Sequence, residues 1–409
     1  MRILYVLNYQ REIPPFAQME VLYANKYFDR IVYITRKLIN DNSQSIKFSN
    51  VEVIQISRVV RCRAFLRLLS MCFSKTVLTQ IYKAIKDHVF SLSYLKALMV
   101  ELYVSEQLYS TCRNHARAIK SGEKYVVSCW FNGVALAAAK LQKDSQYKSY
   151  SFAHAFEVDP DRNPFLGYLL EEYKHRYLLK ISFIAEAMLK KYSNAVYSII
   201  GVQKNAVVEY LGTTKMYVDK KAMPSNEFTI CSCSTVNEIK RLYLLVDALS
   251  NIKELPIRWI HIGDGPEFDN IRFKAKSIIN NNLEFSFLGK LANERVQEFY
   301  SKHYIDLFIN VSRSEGLPIS IMEAMSYSIP CMATDVGGTK EIVNNINGIL
   351  LKEDISSTEL AAEIINFINE DDELKIQKRL SSFNDWDSRF NADKNINQYY
   401  SRMISVVHE

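Results

Sequence analysis

The chain alternates short runs of β-branched and aromatic residues with longer stretches of helical length. Ile3-Leu4-Tyr5-Val6-Leu7 and Arg30-Ile31-Val32-Tyr33-Ile34 read as strands, and residues 19–27 between them are enough for a helix. Strand, crossover helix, strand is the unit of a parallel sheet. Tyr125-Val126-Val127-Ser128 followed by the small-residue run 134–139 repeats the pattern, and Val196-Tyr197-Ser198-Ile199-Ile200 with residues 204–210 reads as a further strand and helix. A second series begins after the polar segment 220–226, which contains Pro224. Its strands are Phe228-Thr229-Ile230-Cys231, Arg258-Trp259-Ile260-His261-Ile262, Phe285-Ser286-Phe287-Leu288, Asp306-Leu307-Phe308-Ile309 and Pro330-Cys331-Met332-Ala333-Thr334, with a helix over 242–249. The pattern predicts two successive doubly wound α/β domains with a boundary near 212–226. Ligands of such sheets bind outside the carboxyl ends of the strands, here in the cleft between the domains.

Residues 58–120 are helical by pattern but carry a different charge from the rest. Ala64-Phe65, Leu68-Leu69 and Cys72-Phe73 recur every four residues, with Arg63 and Arg67 beside them. This stretch holds 11 lysines and arginines against 3 acidic residues, whereas the whole chain holds 51 against 45. Residues 353–409 are acidic, with 12 acidic residues against 6 basic. One account of 58–120 is an ordinary packed helix whose arginine stems cover apolar surface. Another is a basic, apolar face on an anionic membrane. No groove-reading motif accompanies the charge, so nucleic acid is not an expected partner.

At 409 residues and 48% hydrophobic content, with only 12 glycines and 9 prolines, the chain is neither disordered nor low in complexity. No window of 18 apolar residues is present, and the first apolar run turns polar at Asn8, before a signal-peptide core could form. The seven cysteines are scattered, without a C-x-x-C or a His/Cys spacing suited to zinc. The expectation is a reduced, cytoplasmic protein with no structural metal.

The chemistry concentrates in Asp306 to Ser328. Asp306-Leu307-Phe308-Ile309-Asn310-Val311-Ser312-Arg313-Ser314-Glu315-Gly316-Leu317-Pro318 reads as a strand, a polar loop and a proline at the first position of a helix over 319–328. Glu315 precedes that helix and Glu323 lies in its second turn, so the two carboxylates can flank one ligand. Free amides from Gly316 onward favour an anion such as a diphosphate, and glycine lets it approach the backbone. Read as isolated residues, Glu315 could equally cap the helix and Glu323 could face solvent.

The run Ser312-Arg313-Ser314-Glu315-Gly316-Leu317-Pro318-Ile319-Ser320-Ile321-Met322-Glu323-Ala324-Met325, with Thr334-Asp335-Val336-Gly337-Gly338-Thr339-Lys340-Glu341, resembles the donor-binding segment of glycosyltransferase family 4. Ile262-Gly263-Asp264-Gly265-Pro266-Glu267, Phe287-Leu288-Gly289 and Asn347-Gly348-Ile349-Leu350 extend the resemblance over nearly the whole second domain. It implies an α/β chain of GT-B fold, two Rossmann-like doubly wound domains facing a central cleft. The domains expected are 1–212 on the acceptor side with the helical, basic insertion 58–120, then 213–385 for the nucleotide-sugar, and a C-terminal helix over 386–409 crossing back to the first domain.

The resemblance further implies a retaining glycosyltransferase of hexosyltransferase type. Glu315 would touch the donor sugar and Glu323 the ribose hydroxyls, with Gly316, Leu317 and Gly263 lining the donor and the base near Lys290 and Leu291. Lys240 matches the lysine that the family places on the diphosphate, but the arginine five residues before it is Thr235 here. A hydroxyl cannot grip two phosphate oxygens as a guanidinium can, so either Arg313 or Arg241 compensates or donor binding is weaker. In the first domain, Ser151-Phe152-Ala153-His154-Ala155-Phe156-Glu157-Val158 is similar to a segment of bacterial surface-polysaccharide members in which the histidine reaches the donor sugar. This assigns catalysis to His154, Glu315 and Lys240. The glycine-rich loop common after the first strand is absent from Asn8-Tyr9-Gln10-Arg11-Glu12-Ile13-Pro14-Pro15.

The donor implied is a UDP- or GDP-sugar, with no metal and no cofactor. The acceptor is a glycan or lipid-linked oligosaccharide in bacterial surface-polysaccharide synthesis, with peripheral contact at the inner face of the membrane through 58–120. The alternative is a non-catalytic GT-B protein that binds a glycan or a partner glycosyltransferase; Thr235 is the feature favouring it.

Overall fold

A computed structural model describes residues 1–10, 13, 15–36, 48–119, 121–216, 227–278 and 282–405. The polar segment 220–226 and the loop residues Arg11, Glu12 and Pro14 therefore lie outside the described residues. The chain forms two compact units, Met1–Glu209 with Ile396–Glu409, and Tyr210–Asn395.

Among the described residues the first unit is built on seven strands: β1 (Arg2–Leu7), β2 (Arg30–Thr35), β3 (Val51–Gln55), β4 (Glu123–Ser128), β5 (Tyr147–Ala153), β6 (Lys180–Phe183) and β7 (Ala206–Val208). They lie in the order β3-β2-β1-β4-β5-β6-β7, with every neighbouring pair parallel. Ile3 to Leu7 are fully buried. Helices cover both faces of a parallel sheet, which is why β1 reads as an unbroken apolar run rather than an alternation.

The structure corrects one part of the sequence pattern. Val196 to Ile200 is not a strand but the end of the helix Glu186–Ile200, and residues 204–210, expected to be helical, contain β7. Met188, Tyr192 and Val196 are the buried positions of that helix, four residues apart. The five-residue apolar run taken alone could not reveal this period. Gly201, at φ +75°, ends the helix.

Residues 58–117 do fold as helices, Arg58–Cys72, Lys75–Lys86 and Leu92–Arg117. Each starts at a serine whose hydroxyl accepts an amide three residues on: Ser57 from Val60, Ser74 from Val77 and Ser91 from Tyr94.

The second unit holds β8 (Phe228–Cys233), β9 (Ile257–Ile262), β10 (Leu283–Phe287), β11 (Leu307–Asn310), β12 (Cys331–Thr334) and β13 (Gly348–Leu351), in the parallel order β10-β9-β8-β11-β12-β13. The strand order reverses between β8 and β11, and the loops leaving these two strands flank the switch point where such sheets bind ligands. Trp259, fully buried on β9, anchors an aromatic cluster with Phe285 and Phe287.

The second unit closes on its own C-terminal segment. A π-helical turn, Trp386–Phe390, interrupts the run between Asp372–Asp385 and Ala392–Ser405. The Trp386 indole donates to Thr213 Oγ1 at 2.9 Å, and the Thr213 amide donates to the Phe390 carbonyl at 2.9 Å. Gly212 takes φ +80°, and a β-carbon there would lie 2.1 Å from the Phe390 carbonyl oxygen. Gly212→Ala is therefore expected to destabilise the second unit by about 2 kcal/mol or more, measured as a lowered denaturation midpoint.

Candidate active site

The loops that leave β8 and β11 are stitched together by one arginine. After β8 the chain makes a single 3-10 turn, Glu238–Lys240, capped by the Asn237 side chain, which accepts the Lys240 amide. Arg241 then takes a left-handed conformation, φ +48°, and starts the helix Leu242–Ser250. Its buried guanidinium donates through Nε to the Val311 carbonyl at 2.7 Å and through a terminal nitrogen to the Ser312 carbonyl at 3.3 Å. Thr334 Oγ1 donates to the same Ser312 carbonyl at 2.6 Å, and the Arg313 amide donates to the Ile239 carbonyl at 2.8 Å. Arg241 thus commits Nε and a terminal nitrogen to backbone carbonyls, the part it plays in this structure beside Thr235. Thr235 and the Arg313 residue are exposed.

These bonds fix Lys240 against Glu315. Lys240 Nζ lies 2.6 Å from Glu315 Oε1, and Asn310 Nδ2 donates to the same oxygen at 3.1 Å. The lysine side chain is 23% exposed and the carboxylate 10%. The backbone of Glu315 is held as firmly: Gly337, at φ +56°, approaches so closely that a β-carbon would lie 1.9 Å from the Glu315 carbonyl oxygen. The Gly338 amide donates to the Gly316 carbonyl at 2.8 Å. Leu317 and Pro318 are buried behind this loop, and Pro318 is the cap of the helix Ile319–Ser326 rather than its first residue. The first amides of that helix have no partner within it, so the ion pair sits beside a site with an affinity for anions.

Glu323 lies in the same helix but has different partners. Its side chain is buried, accepts from Asn293 Nδ2, and is pushed up to about 7 by burial, with the Asn293 bond acting the other way. Asn293 in turn accepts from Gln297 Nε2 at 2.9 Å, and Gln297 Oε1 accepts the Met216 amide at 2.9 Å. A carboxyl that sits near neutrality can exchange hydrogen bonds with paired hydroxyls in either state.

The neighbouring strand ends are tightened by glycine. Gly263, at φ +144°, brings its backbone so near that a β-carbon would lie 1.8 Å from the Ser234 carbonyl oxygen, and its amide donates to the Gly289 carbonyl at 2.9 Å. Behind it, the Trp259 indole donates to Ser232 Oγ at 2.9 Å, and the same hydroxyl pairs with His261 Nδ1, also at 2.9 Å. Burial pushes this imidazole down to about 4 and keeps it neutral. Leu291 is half-buried after β10.

In the first unit, His154 follows β5 and caps the short helix Ala155–Val158. Its amide donates to Glu157 Oε2 at 3.0 Å, and its ring lies 5.0 Å from that of Trp130. Burial pushes the His154 imidazole down to about 4 and the Glu157 carboxyl up to about 8. The histidine is therefore neutral at pH 7, suited to donating or accepting a hydrogen bond rather than to carrying charge.

Lys240, Glu315, Gly316 and Leu317 thus lie on the two loops that leave β8 and β11. Asn310, Asn293 and the stitching by Arg241 and Thr334 were not foreseen. Asn310 carried a faint signal as a polar residue closing an apolar strand; Asn293 carried none, since its partner lies 30 residues away.

Residues 214–383 match the family model described as "Glycosyl transferases group 1". The second unit belongs to that family. Among curated relatives, N-acetyl-alpha-D-glucosaminyl L-malate synthase of Bacillus anthracis is 27% identical over 185 residues, 45% of this chain and 47% of its own. The O-antigen biosynthesis glycosyltransferase WbnH of Escherichia coli is 35% identical over 114 residues, 28% of this chain and 30% of its own. The chain thus spans less than half the length of these relatives. The crystal structure of Anabaena HepE in complex with UDP superposes with a TM-score of 0.69 at 17% identity, covering 100% of both chains. That likeness extends the GT-B fold to both units, and the group 1 domain carries the Lys240–Glu315 pair.

A carboxyl raised to about 8 in the folded chain, against an ordinary 4.5, contributes stability at low pH that is lost as the pH rises through 8. Glu157→Gln keeps an acceptor for the His154 amide but cannot ionise. The variant is expected to match the parent in melting temperature near pH 5 and to exceed it by a few degrees near pH 9, read by differential scanning calorimetry.

Proposed function

We propose that the protein is a retaining, metal-independent glycosyltransferase. In this reading it moves a hexose from a UDP- or GDP-sugar to a hydroxyl of a glycan or lipid-linked oligosaccharide in bacterial surface-polysaccharide synthesis, in the cytoplasm at the inner face of the membrane. The observation that carries the reading is the Lys240–Glu315 pair at the amide-rich start of the helix Ile319–Ser326, inside the group 1 match. A nucleotide diphosphate-sugar offers each partner what it lacks alone: phosphate oxygens for the ammonium, and sugar hydroxyl protons for the carboxylate. Glu323, with Asn293 behind it, is assigned the ribose hydroxyls, and Gly263 and Leu291 the nucleoside. His154 is assigned a part in transfer.

Charge developing on the departing diphosphate is met by Lys240, the helix amides and Arg313, so the reading carries no metal and no cofactor. The bond from the anomeric carbon to the phosphate oxygen breaks as one to the acceptor oxygen forms on the same face. The acceptor's hydroxyl proton passes to the departing phosphate, so no carboxylate nucleophile is required. HepE, of the same fold, is described in complex with UDP, which makes UDP-sugars the first donors to try.

Glu315→Gln and Lys240→Ala are expected to lower transfer by about a hundredfold or more, with melting behaviour retained, while EDTA leaves the rate unchanged. The anomeric configuration of the product, read by NMR, tests retention. Isothermal titration that detects no binding of any nucleoside diphosphate or its sugar would overturn the reading in favour of a non-catalytic binding protein.

A further inference from the structure

The first unit buries a cation that the transfer chemistry leaves unused. Lys174, in the helix Glu171–Tyr177, has a side chain 1% exposed. Its Nζ donates to the Phe131 carbonyl at 3.1 Å and stands 5.1 Å from the centroid of the Phe131 ring. Glu101 Oε2 lies 3.3 Å from it and Glu171 Oε1 3.9 Å. An ammonium taken out of water is costly unless it is both paired and hydrogen-bonded, and here two carboxyls and a carbonyl meet it. Burial pushes Glu101 and Glu171 up, and Lys174 draws both back. Lys174 also acts on Glu157, opposing the burial that pushes that carboxyl up.

What this cluster holds is the loop that leaves β4. The Gly133 amide bonds to the Glu101 carboxyl, and a β-carbon on Gly133 would lie 2.7 Å from the Glu101 carbonyl oxygen. Phe131 and Gly133 are therefore fixed from two sides, by the helix Glu171–Tyr177 and by Leu92–Arg117. The residues between that grip and β4 carry the contacts to His154. The Trp130 ring lies 5.0 Å from the His154 ring, and its indole donates to Asn8 Oδ1, just after β1, at 3.1 Å. The His154 imidazole itself bonds to the Cys129 backbone. The strand order of this sheet reverses between β1 and β4, so the gripped loop stands at the switch point of the first unit.

We propose that Lys174 is a positioning residue for sugar transfer: through the Phe131 carbonyl it sets the loop 129–133, and through Trp130 and the Cys129 backbone that loop sets the His154 imidazole. The inference rests on the part in transfer proposed for His154. Without the ammonium, the Phe131 carbonyl loses its donor and Glu101 and Glu171 lose their counter-charge, so the loop is free to shift. A displacement of about 1 Å at a reacting group costs on the order of a hundredfold in rate. The donor's diphosphate and ribose are assigned to the second unit, so nucleotide binding is left intact while turnover falls.

The test is a double-mutant cycle on the full chain, with the rate read as nucleoside diphosphate released from a panel of UDP- and GDP-hexoses and the fastest donor kept. Lys174→Met retains an unbranched stem without the charge. It is expected to lower kcat by about tenfold or more, with the donor KM changed by less than about twofold and UDP or GDP binding retained in isothermal titration. Added to His154→Ala, the same substitution should cost no further rate, because its effect passes through the imidazole. In fluorine NMR of chain labelled with fluorotryptophan, the Trp130 resonance, identified by Trp130→Phe, should move in Lys174→Met while those of Trp259 and Trp386 stay. Should Lys174→Met fail to fold, Glu101→Gln, which keeps the ammonium and removes its nearest carboxylate charge, carries the same expectations at smaller amplitude. Losses that multiply in the double variant, or a Trp130 resonance that does not move, overturn the proposal. A parent chain inert with every donor overturns the function on which the inference rests, and the inference with it. A parent that is active beside an equally active Lys174→Met chain overturns the inference alone.

Discussion

The grip of the Arg241 guanidinium on the carbonyls of Val311 and Ser312 governs the second unit's chemistry. Two loops leave adjacent strands at the switch point, and each would have a choice of paths if it ran alone. A buried cation with two fixed carbonyl acceptors removes that choice, since losing either bond would strand a charge away from water. Lys240 is the preceding residue, so its position follows from the same anchor. Glu315 is set from the other side, by the close approach of Gly337 and by the Asn310 amide. The ion pair at 2.6 Å is therefore the outcome of backbone constraints more than of its own attraction, which at partial exposure is modest.

The same division between support and contact recurs at the other acidic residue. Glu323 owes its raised titration to burial and its orientation to Asn293, which is held by Gln297, which in turn takes the Met216 amide. This chain of bonds leads from the helix carrying Glu323 to the segment that opens the second unit. In the first unit, Glu157 does for the His154 turn what these amides do for Glu323, closing it with a carboxyl made neutral by its surroundings.

Much of this was legible in the sequence, for reasons that differ from place to place. The central strands were plain because β1, β8 and β9 are short apolar runs between helices. The run at 196–200 misled because five residues do not distinguish the period of a strand from the end of a helix whose earlier buried positions, Met188 and Tyr192, lie outside the window. The Glu315 loop was visible because its spacing is local. The bonds of Arg241 were not visible, since nothing in the sequence indicates that its partners are carbonyls 70 residues away. Asn293 went unseen for the same cause. Local spacing shows in a sequence, whereas polar bonds across the sheet do not.

The pairing of Lys240 with Glu315 has a consequence for selectivity. A free inorganic anion that drew the ammonium away would leave a 10%-exposed carboxylate without its counter-charge, and so would gain little. A ligand that brings an anion for the ammonium and a hydrogen-bond donor for the carboxylate would replace both halves of the pair at once. Under the proposed function the resting pair is thus a bond that an incoming donor has to replace, and donor affinity is set against it.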